Sequence, residues 1–223
     1  MKDNKSAFNA NIYDENIVCT LPYYKEFGAQ IIDLVRTIGK KDIDWLDTGC
    51  GTGTLALCAL QNRSDIRFTL CDPSEGMLEE AKKKLEGKDV TFVTAGSQNL
   101  KFESEFDVVT AVQSHHYFMP DERRTAVENC YKALREGGVF VTFENIRMTT
   151  EESDLIAMKR WLQFQAEHGI SPEKVQFQIE RRDVETHPIT VEEHIKLLRE
   201  CGFKAVDILW TSYLQALYDT FTP

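Results

Sequence analysis

Asp47-Thr48-Gly49-Cys50-Gly51-Thr52-Gly53 constrains this chain more than any other stretch. It follows the apolar run Ile43 to Leu46 and precedes the helix-forming segment Leu55 to Gln61, so it reads as a strand entering a glycine turn and leaving as a helix. Glycine at every second position removes side chains from the turn. Backbone N–H groups and the helix N-terminus can then close directly on a ligand. Asp47 suits a ligand with ammonium or hydroxyl donors. A second acid, Asp72, ends the next apolar run, Phe68 to Cys71. An acid beyond the following strand, roughly twenty residues past a glycine turn, is how a βαβ unit holds the hydroxyls of a ribose.

Further strand and helix patterns alternate behind this unit. A strand over Ile66 to Cys71 is followed by Ser74 as cap of a helix over Glu75 to Leu85, and strands follow over Val90 to Thr94 and Phe106 to Val112. Pro120-Asp121-Glu122 starts a helix that Gly137-Gly138 is expected to end, and Val139 to Phe143 forms a fifth strand. Five alternations in order predict a parallel, doubly wound sheet with right-handed crossovers. Ahead of it, Pro22 is expected to open a helix that Gly39 stops. Behind it, a capping box Thr149…Glu152 opens one helix, Ser171-Pro172 a second, and Thr190…Glu193 a third over Val191 to Cys201. Strands over Ala205 to Leu209 and Tyr213 to Tyr218 close the chain.

The run Asp47 to Gly53, with Cys71-Asp72-Pro73-Ser74-Glu75-Gly76-Met77-Leu78 after it, resembles the class I S-adenosylmethionine (SAM) dependent methyltransferases, in particular the small single-domain branch called type 11. The pattern Asp-x-Gly-x-Gly-x-Gly is met at every position. The competing dinucleotide fingerprint needs a glycine where Thr54 stands, which disfavours a nicotinamide-dependent oxidoreductase. The resemblance runs from about Phe8 to about Glu144 and is loose beyond. It implies an α/β, Rossmann-like, doubly wound, seven-stranded and mostly parallel sheet with an antiparallel last strand and a helical lid insertion. One domain, 1–223, would comprise an N-terminal helical cover (1–40), a cofactor-binding core (43–145), a lid (149–188), and a final helix with strands (190–218).

The resemblance also implies a site. Gly49, Cys50, Gly51 and Gly53 would admit the methionine part of SAM with Asp47 near its ammonium, and Asp72 with Pro73 would hold the ribose side. Met77 would lie beside the adenine or be a core methionine. Relatives carry Asp-Ala where Gly96-Ser97 stand, so the adenine amino group would turn to Ser97 Oγ or the Gln98 carbonyl, neutral acceptors weaker than a carboxylate. Val112 and Gln113 would contact the donor, and Tyr13 would close over it; Tyr23 and Tyr24 read equally well as core anchors. His115, His116, Tyr117 and Glu144 stand at the strand ends, where ligand crevices of open α/β sheets lie, and are candidate acceptor contacts. For the histidine pair, a metal site lacks partners by spacing, a general base is a second reading, and the favoured reading has one histidine packed and the other lining the pocket. No metal is expected.

The expected reaction is in-line methyl transfer from SAM to a small-molecule acceptor, leaving S-adenosylhomocysteine, with positioning as the main catalytic means. Two alternatives stay open. One is a SAM-binding protein without turnover. The other is an enzyme of carboxylated SAM or tRNA modification, because Phe8…Pro22-Tyr23 and Met119-Pro120-Asp121-Glu122-Arg123 faintly resemble that family; Arg147, Arg181 or Arg182 would then hold the extra carboxylate. A net charge of -10 repels phosphate backbones, so a nucleic-acid partner is not expected. Six scattered cysteines without a Cys-x-x-Cys pair read as reduced, the N-terminus lacks the pattern of a signal peptide, and no apolar stretch is long enough to span a bilayer. The expected setting is cytoplasmic. The helical insertion could alternatively form a homodimer.

Overall fold

The computed structural model describes residues 3–222; Met1 and Lys2, the first two residues of the expected cover, and Pro223 lie outside the described residues. Two helices, α1 (Tyr13–Thr20) and α2 (Tyr24–Thr37), precede β1 (Ile43–Thr48), α3 (Thr54–Asn62), β2 (Ile66–Asp72), α4 (Glu75–Lys84) and β3 (Val90–Thr94). Then come β4 (Phe106–Val112), α5 (Pro120–Ala133), β5 (Leu134–Arg147), and the helix pair α6 (Glu151–Glu167) and α7 (Pro172–Arg181). The short β6 (Ile189–Thr190), α8 (Val191–Glu200), β7 (Ala205–Ser212) and β8 (Gln215–Phe221) complete the order.

The sheet runs β3-β2-β1-β4-β5-β8-β7, with β6 paired to β5 off that path. β1 to β5 are mutually parallel, and β8 lies antiparallel between β5 and β7. β1 and β4 are central, and their apolar runs are buried on both faces, as parallel strands covered by helices must be. One face packs Phe27 and Ile31 of α2, with Ala56 and Ala59 of α3, onto Trp45, Phe68 and Leu70. The other packs Val127 and Cys130 of α5, with Leu198 of α8, onto Val109, Phe140 and Tyr218. Strand order reverses between β1 and β4, and the crevice at such a switch point is where open sheets bind ligands.

Several expected boundaries move, each for a local reason. Pro22 stands outside α2, because Tyr23 has a left-handed backbone (φ 58°) and the helix starts after it. Helix α5 ends at Ala133 rather than at Gly137-Gly138. Leu134 already returns to extended backbone and pairs with Phe106, and the glycine pair sits inside β5 beside a register shift in β4. A side chain at Gly138 would meet the Arg135 carbonyl at 2.9 Å. The box opening α6 is Thr150 with Ser153, one residue later than Thr149…Glu152. The last strand is shifted to Gln215–Phe221 because Tyr213 (φ 52°) turns the hairpin.

Candidate functional site

The three glycines of the turn serve three different ends. The N–H groups of Gly49 and Cys50 donate to the Cys71 carbonyl at 2.7 and 3.0 Å, which pins the turn to the end of β2. Gly49 (φ 71°) lies against Ser114, whose Cβ would be 2.4 Å from a Cβ placed there. Gly53 (φ 74°) lies against Leu85 and Ala81 of the neighbouring helix, at 3.1 and 3.2 Å. Only at Gly51 does an added Cβ meet nothing within 4 Å. Of the expected trio, Gly51 therefore faces the cleft, while Gly49 and Gly53 let backbone and helices close up.

Two buried carboxylates flank the turn. Asp72 accepts from the N–H of Gly51 and of Ser74, both at 2.9 Å, and burial still raises its pKa. Asp47 is 2% exposed and sits at the end of a buried relay: Trp45 Nε1 donates to Thr110 Oγ1 (2.9 Å), and that hydroxyl donates to Asp47 (2.6 Å). Burial, with the Asp72 charge nearby, pushes the Asp47 carboxyl up to about 7 despite the Thr110 bond. The same surroundings push the Cys50 thiol up, so it is no thiolate at neutral pH.

On the adenine side, Ser97 is already committed. Its Oγ lies 2.8 Å from Thr48 Oγ1 and its carbonyl accepts from Asn129. The neighbouring Gln98 carries a buried Oε1 without a partner, which makes it the free acceptor of the two. Met77 is 3% exposed and packed in the first turn of α4, and Pro73 is exposed. Sequence reasoning missed Asp3, which accepts from Ser74 Oγ (2.7 Å) and the Gly76 N–H (3.0 Å) at the N-terminus of α4.

It also missed how α1 is tied down. Asp14 accepts from Thr52 Oγ1 (2.7 Å), Thr54 Oγ1 (3.0 Å) and Lys84 Nζ (2.6 Å), so the cover helix is fastened across the glycine turn. Tyr13, one residue earlier, points into a buried group with Tyr24 and Tyr117 near Asp72, and burial pushes its phenol up.

Beyond β4 the chain makes a tight loop. Gln113 has a left-handed backbone (φ 53°), its N–H donates to the Phe143 carbonyl at 2.6 Å, and its side-chain Nε2 is buried without a partner. Val112, before it, packs half-buried beside Phe143. Glu144 is fully buried and accepts from the backbone N–H of His115 (3.0 Å) and His116 (2.9 Å) and from His116 Nδ1 (2.7 Å). Burial alone would push its carboxyl up, but the His116 hydrogen bond and the surrounding imidazoles bring it down to about 2. Arg123, 3% exposed, donates to the carbonyls of His115, Phe118 and His187. A buried anion thus takes the loop's N–H groups and a buried cation takes its carbonyls.

This arrangement corrects the acceptor set. His115 and His116 are each 1% exposed and neither lines the cavity that Tyr117 reaches, so the favoured reading of one packed and one pocket histidine gives way to two packed ones. Burial lowers His115 to about 4, which keeps it neutral. Glu144 is likewise turned inward. Tyr117 alone of the four reaches open space. Among the described residues, no group of three or more His, Cys, Asp or Glu is placed to hold a metal ion.

That space is a cavity of about 70 Å³ beneath the cover and the insertion. Tyr13, Gln113, Tyr117 and Asn145 line it from the fold. Trp161, Gln178, Arg181 and Arg182 line it from α6, α7 and the residue that follows. Trp161 Nε1 donates to the Thr20 carbonyl (2.8 Å), tying lid to cover. Arg181 is 4% exposed, beside the Tyr117 hydroxyl, and pairs with Glu185 at 2.6 Å. Arg182 forks onto Asp154, both contacts at 2.9 Å, and Arg147 pairs with Asp183. Among the described residues, two arginines and no acid line this cavity.

Comparison with known proteins agrees with the geometry. Residues 46–138, the segment carrying the turn, both carboxylates and the β4 loop, match a family described as a methyltransferase domain. That match covers 93 of the chain's 223 residues. SAM is the candidate cofactor. The open position at Gly51 and the orphaned Gln98 acceptor fit that molecule's main-chain approach and adenine amino group. The chain is 24% identical over 210 residues to the carboxy-S-adenosyl-L-methionine synthase of Campylobacter lari, covering 92% of this chain and 88% of that one. It is 27% identical over 212 residues to the protein of the same name from a Nitratiruptor species, covering 92% and 87%. In fold it is similar to a Thermotoga maritima protein described as a SAM-dependent methyltransferase, with TM-score 0.62 and 17% identity over 96% of this chain and 95% of that one. No helix among the described residues is long and apolar enough to cross a membrane.

Proposed function

We propose that this enzyme transfers a methyl group from SAM to a small anionic acceptor held in the cavity between the β4 and β5 ends and the helix pair α6 and α7. The observation that carries the acceptor's charge is the lining: Arg181 and Arg182, whose acid partners Glu185 and Asp154 stand outside it, in a chain of net charge -10. The unpartnered Gln113 Nε2 supplies a further donor. Asp47 would take the ammonium of the cofactor and Asp72 its ribose hydroxyls. Gly51 and Cys50 would lie along the methionine part, with Tyr13, Val112 and Gln113 around the reacting end. Gln98 would accept from the adenine amino group, with Pro73 and Met77 flanking the ring and Ser97 holding the strand end in place.

SAM supplies an already activated methyl group, which the acceptor attacks in line as S-adenosylhomocysteine leaves. The chain's own part is to orient and to exclude water: Tyr117 and Arg181 fix the acceptor, and the Trp161 to Thr20 tie closes the roof. The packed histidines supply no general base.

A second reading has a specific support. Relatives in Campylobacter lari and Nitratiruptor are named carboxy-S-adenosyl-L-methionine synthase, and an arginine-bearing cavity without acids would suit a carboxylate carried on SAM itself. Mass spectrometry of small molecules released from purified protein, with calorimetric titration of S-adenosylhomocysteine into wild type and Asp72→Ala, separates these. SAM or S-adenosylhomocysteine, with binding lost in the variant, supports methyl transfer; a carboxylated SAM supports the second reading; no binding to wild type removes both. We further place the enzyme in the cytoplasm, where its six free thiols stay reduced, acting on small molecules rather than nucleic acid. A homodimer through the insertion would cover the exposed Leu155, Ile156, Phe177 and Val184.

A further inference from the structure

Four carboxamide side chains line the cavity beneath the lid: Gln113 just beyond β4, Asn145 in β5, Gln215 at the start of β8, and Gln178 from α7. The first three stand on adjacent strand ends. Gln215 is the register partner of Asn145, and the Gln113 N–H bonds to the Phe143 carbonyl of the same β5. Gln215 is 1% exposed, although glutamines mostly lie at protein surfaces. Its Nε2 donates to Asn145 Oδ1 at 3.4 Å, which leaves Oε1 as the free end of the amide, buried and unpartnered among the described residues. Gln113 Nε2 is buried and unpartnered as well. A methionine would fill either place without stranding a polar atom, and a stranded polar atom destabilises the fold. The cavity wall thus holds one unused acceptor and one unused donor.

We propose that the acceptor molecule is a hydroxy acid of a few carbons, with its hydroxyl between Gln215 Oε1 and Gln113 Nε2 and its carboxylate on the arginine side. This rests on the reading of the cavity as an anion site. The backbones of the two glutamines are about 10 Å apart, two strand spacings, a gap that their side chains can close around one hydroxyl. A hydroxyl donates one hydrogen and accepts on two lone pairs, so a single group answers both amides. A keto oxygen only accepts and would leave Gln215 unpaired. An ammonium only donates, would leave Gln113 unpaired, and would stand beside two guanidinium groups. The volume of about 70 Å³ is well below the roughly 300–1,000 Å³ of ordinary small-molecule sites, which keeps the acceptor short. An amide oxygen is no base at neutral pH, so Gln215 recognises the hydroxyl and takes no proton from it.

The test uses the full chain saturated with S-adenosylhomocysteine and calorimetric titration of four short probes: lactate, pyruvate, propionate and lactamide. Lactate is expected to bind about tenfold or more tighter than pyruvate, which keeps the acid and loses the donor, and than propionate, which loses the donor and the acceptor. Lactamide keeps the hydroxyl without the charge, and it should also bind about tenfold or more weakly than lactate. Gln215→Met should bring lactate to within about twofold of pyruvate while the affinity for S-adenosylhomocysteine stays within about twofold. The wild-type series decides alone if the variant does not fold. Equal binding of lactate, pyruvate and propionate, or a lactate preference that survives Gln215→Met, overturns the hydroxyl and leaves the anion site standing. Lactamide as tight as lactate overturns the anion site and with it the acid. No binding by any of the four overturns both.

Discussion

Asp47 offers the most discriminating test of the cofactor assignment, because its charge state in the empty protein differs from the one a bound ammonium would demand. Its carboxyl is 2% exposed, held by a single hydroxyl donor, and raised to about 7 by burial and by Asp72. An ammonium placed beside it would favour the carboxylate and draw the pKa down, so ligand binding should expel a proton. If the bound value falls to about 5 or lower, about 0.9 proton should be released per ligand near pH 6, since the free group is then about 90% protonated. Over the interval from about pH 5.5 to about pH 7 the affinity should rise by about fifteenfold, the ligand's own amine, with a pKa of about 8, staying charged throughout. S-adenosylhomocysteine is the right titrant because it keeps the ammonium and lacks the sulfonium. Calorimetry in two buffers of different ionisation enthalpy reads the released proton directly. Asp47→Asn preserves volume and can still accept from Thr110, and it should bind more weakly with no such pH dependence. An affinity flat across this interval in wild type, or the same slope in the variant, would refute the placement of the ammonium at Asp47.

Three further outcomes follow from other parts of the molecule. Gln98→Leu should weaken S-adenosylhomocysteine by about five- to tenfold while leaving the melting temperature of the empty protein unchanged or higher, because it deletes an acceptor that has no protein partner. Glu144→Ala should cost about 3 kcal/mol in a urea titration, since it strands two buried N–H groups and the His116 imidazole. His115 and His194 are held neutral by burial, at about 4 and about 3, so the unfolded chain takes up protons first as pH falls. Between about pH 6.5 and pH 4 each histidine should remove up to about 1.4 kcal/mol per pH unit, opposed over the same interval by the raised carboxyls of Asp47 and Asp72, and His194→Gln should be more stable relative to wild type at pH 4 than at pH 7.

The parts of this fold that were legible in sequence are those where one local rule dominates. Strand β4, buried on both faces, appears as a near-continuous apolar run and lies where the pattern places it, as does β3, whose valines and phenylalanine stand among threonines at the sheet edge, while β1 and β2 differ only at their ends. Glycines are legible as backbone freedom but not as to purpose: nothing local distinguishes Gly51, open to the cleft, from Gly49 against Ser114 or Gly53 against Ala81. Gly137-Gly138 misled for the same reason, because a pair that commonly stops a helix here relieves a bulge within a strand. The Asp14 to Lys84 pair, 70 positions apart, and the Arg123 clamp depend on contacts that only the closed fold creates. The histidine pair was the costliest ambiguity. Polar residues at a strand end suggest a site, and only the buried Glu144 shows that these two are held from behind rather than offered forward.

The clamps and the cover together imply a division of labour in how the site opens. Loop 113–118 is gripped by Glu144 and Arg123, both almost wholly buried, so moving it would strand charges in the interior at a cost of several kcal/mol. The cover is fastened by weaker means. Its Asp14 is 44% exposed and the Lys84 partner 19%, and a pair so open to water contributes about 1 kcal/mol or less. The Trp161 to Thr20 bond and the contact of Arg181 with the Lys5 carbonyl join that cover to the lid. Cofactor entry by movement of α1 with the lid helices would break these ties and uncover Ile17 and Leu21, both packed in the core, while the loop 113–118 stays fixed. A methyl transfer that depends on positioning needs this asymmetry: the walls that admit the reactants can yield, and the floor that aligns them cannot.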